Sequence, residues 1–231
     1  MKDEILAEGK WTFGEEVAEV FDDMLPRSIP DYATMRKLIY ILGRDFARKG
    51  AVVDLGCSLG ESFKAFANDG AKVYGFEVSM PMVERAKKKF SSYDNVYIEQ
   101  RDCIKDFPRV KSALTLSVLT AQFTPIEYRH KFLRSIYETL SDGGALIYVE
   151  KILGKDYELD SMLVDAYYSI KEDNAYTQEQ IAKKRKSLEG VLVPVTAKWN
   201  EELLRSAGFD KVECFWRCLN FAGWIAIKKG A

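Results

Sequence analysis

Histidine is almost missing from these 231 residues: there is one, His130. A single imidazole excludes Cys/His zinc sites, His-built metal clusters and any triad that needs two histidines, so no metal is expected and the chemistry must use other groups. His130 itself, in a helical stretch after the fourth strand-like segment, reads as a surface residue. Long apolar runs are also missing. None approaches the roughly eighteen residues of a membrane span, which excludes membrane residence. A basic excess is absent too: 34 Lys and Arg stand against 35 Asp and Glu, unlike a protein whose main task is gripping nucleic-acid phosphates. The four cysteines, Cys57, Cys103, Cys214 and Cys218, form no C-x-x-C pair, and no apolar stretch of the secretory kind opens the sequence, so the cytoplasm is the expected compartment. Cys214 and Cys218, four apart, would share one face of a strand as core thiols. With no repeat, low-complexity segment or Pro/Gly/Ser linker, one domain over 1–231 is expected.

What the sequence has is alternation. Ala51 to Leu55 (AVVDL) is a short buried-strand pattern, followed by a glycine turn and then by helical spacing over Glu61 to Asn68. The rhythm recurs as Lys72 to Glu77 then Met80 to Phe90, and continues through strands at Val96 to Gln100, Ala113 to Leu119 and Ala145 to Glu150, with a helix from about Tyr128 to Leu140. Such a series specifies an α/β fold with a doubly wound, mostly parallel sheet whose ligands bind at the carboxyl ends of the strands. The end differs: a helix over Asn200 to Ala207 precedes strands at Lys211 to Trp216 and Phe221 to Lys228, joined by a short turn and hence antiparallel. A helical segment over 10–48 and a Tyr- and Lys-rich helical insert over 156–190 complete the layout, the insert reading as a cover over the strand ends.

The first strand and turn spell Asp54-Leu55-Gly56-Cys57-Ser58-Leu59-Gly60, with an acid at the strand end and glycines where backbone must turn sharply beside a ligand. This is not G-x-G-x-x-G, and no lysine follows as a phosphate loop requires, so the turn suits a nucleoside without a pyrophosphate, such as S-adenosylmethionine. Glu77 closes the second strand, placed to accept hydrogen bonds from both ribose hydroxyls. Asp102 follows the third and could accept from an adenine amino group, with Cys103 offering backbone and apolar contact. Taken singly, each acid has the plainer role of a strand-end or cap residue; together they mark one line of strand ends.

Five stretches carry a resemblance: Trp11 to Tyr32 (WTFGEEVAEVFDDMLPRSIPDY), Asp54 to Gly60 (DLGCSLG), Gly143 to Leu146 (GGAL), Lys183 to Leu192 (KKRKSLEGVL) and Cys218 to Lys228 (CLNFAGWIAIK). In these the chain resembles the carboxy-S-adenosylmethionine synthases, members of the class I methyltransferase fold that carboxylate the methyl group of S-adenosylmethionine with prephenate as donor. The resemblance runs from about residue 9 to 228. It implies that Tyr32 lies against the nucleoside, that Gly56, Cys57 and Ser58 cradle its methionine part, that Glu77 and Val78 hold ribose and adenine, and that Asp102 and Cys103 flank the base. It also implies that Arg185 binds the new carboxylate, which a planar guanidinium can grip through two parallel hydrogen bonds. A homodimer and a place in tRNA wobble-uridine modification are further implications.

The chain departs from the family pattern where Glu77 replaces an Asp, Val78 a polar residue, and Tyr167 and Tyr168 two histidines; after the fourth strand the family's Asn is missing and Ser117 stands nearest. The reaction requires no histidine, because the donor's own leaving group takes the methyl proton, and an enclosed cleft favours capture of the carboxyl group by proximity. Two other readings stand beside it. One is a methyltransferase acting on a small molecule; the other is a non-catalytic module that binds the nucleoside or contacts tRNA through the KKRK run, which is otherwise a solvated helix face.

Overall fold

The structure is a computed structural model and describes residues 2–6 and 9–230. Its centre is β1 (Val52–Leu55), buried at every position as expected of a parallel strand covered on both faces. Around it lie β2 (Val73–Glu77), β3 (Val96–Gln100), β4 (Ser112–Val118) and β5 (Leu140–Leu153), then the short β6 (Val195–Thr196) and the pair β7 (Lys211–Cys218) and β8 (Phe221–Ile227). The strand order is β3-β2-β1-β4-β5-β8-β7, with β6 against β5. β1 pairs in parallel with β2 on one side and β4 on the other, so the order reverses at β1 and opens a crevice beyond its carboxyl end. β8 runs antiparallel to β5 and β7, which is the C-terminal hairpin the sequence specifies.

Two apolar layers sandwich the sheet. One gathers Met35, Ile39, Phe63, Phe66, Leu114 and Ile147; the other gathers Leu55, Leu133, Ile136, Leu146 and Trp224. Helix α1 (Glu15–Ser28) buries Val17, Val20, Phe21 and Met24, and α2 (Tyr32–Ala47) buries Met35, Ile39, Gly43 and Ala47 at four-residue spacing, the stripe of an amphipathic helix. Gly43 is the close-approach point: a Cβ there would lie 2.8 Å from the Phe66 ring and 2.9 Å from Leu114. The remaining helices are α3 (Lys64–Asn68), α4 (Met80–Lys89), α5 (Ile126–Thr139), α6 (Tyr157–Asp173), α7 (Gln178–Leu188) and α8 (Ala197–Ser206). Sequence placed the third helix's start at Glu61; regular helix begins three residues later, after a run of turns.

A third apolar cluster fixes the N-terminal segment over the strand ends: Trp11, Phe21 and Met24 pack with Leu59 from the turn after β1 and Met82 from α4. Ser79, N-cap of α4, ties the same segment down by donating its hydroxyl to the Phe13 carbonyl at 2.6 Å. The insert becomes α6 and α7, each closed by a local cap: Asp156 accepts from Leu159, and Thr177 and Gln180 form a reciprocal box.

One expectation fails for a clear reason. Cys214 and Cys218 do not share a face: the ladder shifts register between Cys214 and Trp216, so Cys214 packs into one layer and Cys218 into the other, both only half-buried. The extra residue is Phe215, and such a bulge inverts the alternation beyond it.

Candidate functional site

A cavity of about 830 Å³ opens at the carboxyl ends of β1, β2 and β4, roofed by the N-terminal segment and by α7. Its floor is the turn after β1. Gly56 holds φ +73°, and a Cβ there would meet the Thr120 side chain at 2.5 Å, so both conformation and space demand glycine. Ser58 follows at φ 47°, a left-handed conformation that a non-glycine residue keeps only when its surroundings impose it.

Glu77 imposes it. One carboxylate oxygen accepts from the Ser58 N–H at 3.0 Å and the other from Ser79 N–H at 2.9 Å, linking the first turn to the start of α4. Glu77 lines the cavity, and a carboxylate has about four accepting sites, so capacity remains for hydroxyl donors. Burial raises the Glu77 pKa despite these donors. Asp54 lies beneath the turn: burial, then the Glu77 charge, push it up to about 8, and its Oδ2 has no partner among the described residues. Its protonated form can therefore donate a hydrogen bond at neutral pH.

Asp102 caps its own turn, accepting from Ile104 N–H at 3.0 Å and pairing with Lys105 Nζ at 3.1 Å. Burial acts upward on it, but these partners outweigh burial and hold it below the ordinary carboxylate value. The thiols of Cys57 and Cys103 border the same space; burial lifts Cys57 well above, and Cys103 to about 12, so both are neutral apolar wall. Tyr32 opens α2 and accepts from Arg36 at 3.1 Å, which leaves its own O–H proton for the cavity.

The structure thus brings Tyr32, Gly56, Cys57, Ser58, Glu77, Val78, Asp102 and Cys103 to one wall. Two residues singled out in sequence are elsewhere. Ser117 is fully buried within β4, and the chain reaches the cavity one to three residues later, at Val118, Leu119 and Thr120. Leu119, at φ 58° and donating to the Val149 carbonyl at 2.6 Å, turns the backbone there. Arg185 is exposed on α7 and not on the wall, with Tyr168 and Lys151 in its field. Its neighbour Lys184 points inward instead and lines the cavity, as does Lys151 at the end of β5. Sequence offered a signal for Lys151, the residue after a buried parallel-strand run, but none for the rotation of α7. His130 is exposed on α5, its ring 3.3 Å from the Ser206 carbonyl. Among the described residues no three His, Cys, Asp or Glu side chains converge as a metal site, and no helix is long and apolar enough to cross a membrane.

The sheet order, the glycine turn after β1 and the acid at the end of β2 define a protein of the class I methyltransferase fold. The methyltransferase domain family matches residues 52–144. Solved structures agree in fold: an O-methyltransferase family protein from Burkholderia thailandensis superposes with TM-score 0.68 at 16% identity, covering 94% of this chain and 60% of that one. Human N-acetylserotonin methyltransferase in complex with SAM gives 0.56 at 18% identity, covering 94% and 58%. Sequence relatives are more specific. The chain is 39% identical to carboxy-S-adenosyl-L-methionine synthase of Wolinella succinogenes, over 100% of this chain and 99% of the relative. It is 37% identical to that of Methylococcus capsulatus, over 94% and 93%. The chain belongs to the carboxy-S-adenosyl-L-methionine synthase family, enzymes of the transferase class.

Proposed function

We propose that the protein converts S-adenosylmethionine and prephenate to carboxy-S-adenosylmethionine, which serves tRNA wobble-uridine modification. The observation that carries this reading is the full-length match to relatives bearing the synthase name, over 94–100% of the chain. The cavity supports it. Glu77 suits the ribose, Asp102 and Cys103 the adenine, and the Gly56–Ser58 turn the amino-acid part. A bound sulfonium would supply an acidified methyl group.

The proposed step balances without a protein base. Prephenate loses its ring carboxyl group as CO2 and its hydroxide, leaving phenylpyruvate; the hydroxide takes one methyl proton as water, and the methyl carbon forms a bond to the CO2. The protein's part is to hold both reactants together, keep water out and stabilise the carboxylate that results. Trp11, Phe13, Phe21 and Met24, held by the third apolar cluster, supply the dry roof.

Tyr157, Leu159 and Met162 are exposed apolar residues of α6, the helix we assign to the homodimer contact. Arg185 adjoins α6, so its proposed carboxylate grip requires a shift of α7 or a second copy of the chain. That displacement from the wall is the observation favouring the second reading, methyl transfer to a small molecule. Contact with tRNA through the KKRK run gains no support, since Lys183 pairs with Glu179 and Lys184 turns inward. Incubation with S-adenosylmethionine and prephenate, followed by mass analysis of the nucleoside, tests the proposal: gain of one carboxyl group supports it, and accumulation of S-adenosylhomocysteine with a cell extract points to methyl transfer.

A further inference from the structure

The charged groups on the cavity wall differ in how they are paired; Glu61, for one, is held by Arg36 and Lys89. Carboxylates gather at the ends of β2 and β3, where Glu77 and Asp102 sit; ammonium groups gather under the cover, where Lys151 and Lys184 sit. Of the three other cations on the wall, Arg101 is paired with Glu99 and Asp106, Lys105 is paired with Asp102, and Lys131 is exposed to solvent. Of the two covered lysines, Lys151 is unpaired among the described residues, and Lys184 has only the single carboxylate of Asp3. Lys151 Nζ has no ion pair or hydrogen bond among the described residues and lies against the Tyr167 ring, 4.8 Å from its centroid, and the Phe221 ring at 5.9 Å. Lys184 Nζ stands 4.9 Å from the Trp11 ring and pairs with the buried Asp3 carboxylate at 3.6 Å. Behind them Lys171, buried and without an ion pair among the described residues, adds a third amine between Tyr167 and Tyr176.

Aromatic rings soften the burial of an ammonium group but do not satisfy its donors. Three amines, Lys151, Lys171 and Lys184, stand against the carboxylates of Asp3 and Asp160, so this buried region keeps an excess of positive charge that an entering anion would offset. The cost is visible: burial pushes Lys151 and Lys184 each down to about 8. An anion whose body is an apolar ring would fill the remaining space, which is walled by aromatic side chains. We infer that Lys151 and Lys184 form the anion-binding end of the cavity and receive a carboxylate of the second substrate, an organic acid with a ring or other apolar body. This deepens the proposed reaction and rests on it for the substrate's identity. The lysines are binding and orienting residues that hold the donor against the nucleoside.

The test titrates the full chain, saturated with S-adenosylmethionine, with phenylpyruvate, an aromatic keto acid lacking the transferable carboxyl group, and with its uncharged methyl ester, by calorimetry. The acid should bind about tenfold or more tightly than the ester, and Lys151→Met and Lys184→Met should each weaken the acid by about the same factor. Affinity for S-adenosylmethionine should not change. Lys151→Arg, which keeps the charge, should restore much of the acid's binding. Equal binding of acid and ester by the unaltered chain overturns the inference even if a methionine variant fails to fold. Parallel loss of S-adenosylmethionine affinity also overturns it, by giving the amines to that molecule's own carboxylate. A chain that binds the acid through these lysines yet transfers no carboxyl group from prephenate sinks the proposed reaction and leaves this inference standing; transfer with unchanged KM in both methionine variants does the reverse.

Discussion

Glu77 and Ser58, nineteen residues apart, are joined by a 3.0 Å hydrogen bond from the serine N–H to the carboxylate, so the acid proposed to hold the ribose also shapes the turn proposed to hold the methionine part. Ribose binding and turn geometry therefore cannot be altered separately at this position. Glu77→Gln replaces one accepting oxygen by a donor facing an N–H, which strands a buried donor at a cost of about 1–3 kcal/mol. We expect a lower melting temperature together with at least about tenfold weaker S-adenosylmethionine binding. Glu77→Asp should be milder. Unchanged affinity in Glu77→Gln would detach the residue from the nucleoside.

Gly56 is set by two independent constraints, which a double substitution separates. Gly56→Ala meets Thr120 at 2.5 Å and forces an L side chain into φ +73°. Thr120→Ala removes the first obstacle and leaves the second, worth about 1–2 kcal/mol. Nucleoside binding should collapse in Gly56→Ala and return in part in the double variant; no recovery at all would mean that Thr120 is not the obstruction.

Lys171 makes stability depend on pH. Burial first, then the ammonium groups of Lys184 and Lys151, push it down to about 7, while Asp3 acts the other way and Arg27 adds to the depression; the Tyr167 and Tyr176 rings complete its surroundings. Because its folded pKa lies below the unfolded value, the unfolded chain binds more protons between about 7 and the ordinary lysine value of 10.5. Stability from this group therefore rises with pH across that window and is lowest below it. Lys171→Met should stabilise the protein at pH 6 by about 1–3 kcal/mol, less the lost cation–π contacts, with the advantage fading toward pH 10. Denaturant titration at both pH values reads this, and a constant difference would show that ionisation is not the cause.

Arg185 is exposed and makes no ion pair among the described residues, so Arg185→Leu should leave the melting temperature unchanged. If the guanidinium grips the product, binding of carboxy-S-adenosylmethionine weakens about tenfold or more while binding of S-adenosylmethionine is spared. Equal loss of both ligands would mark a structural role for Arg185.

Much of this was legible because short apolar runs followed by glycine turns admit few folds: Val52 to Leu55 could only be a covered strand, and the acids at Glu77 and Asp102 fell at strand ends for that reason. What escaped the sequence depends on single-residue offsets. Phe215, the extra residue of a bulge, reversed the face of Cys218; the turn at Leu119 carried the cavity wall past Ser117 to Thr120. In the KKRK run, helical rotation decides which cation faces inward, and packing against Trp11 and Asp3 gave that place to Lys184 rather than Arg185. No composition or spacing signal encodes that choice.

Carboxyl transfer to the sulfonium methyl group is read out by following a label. The purified protein is given S-adenosylmethionine and prephenate isotopically labelled in the ring carboxyl group, and the nucleoside is weighed. The expected product is a nucleoside heavier by one labelled carboxyl group, with phenylpyruvate formed in equal amount. Unlabelled S-adenosylmethionine recovered intact while prephenate remains unconsumed would contradict it.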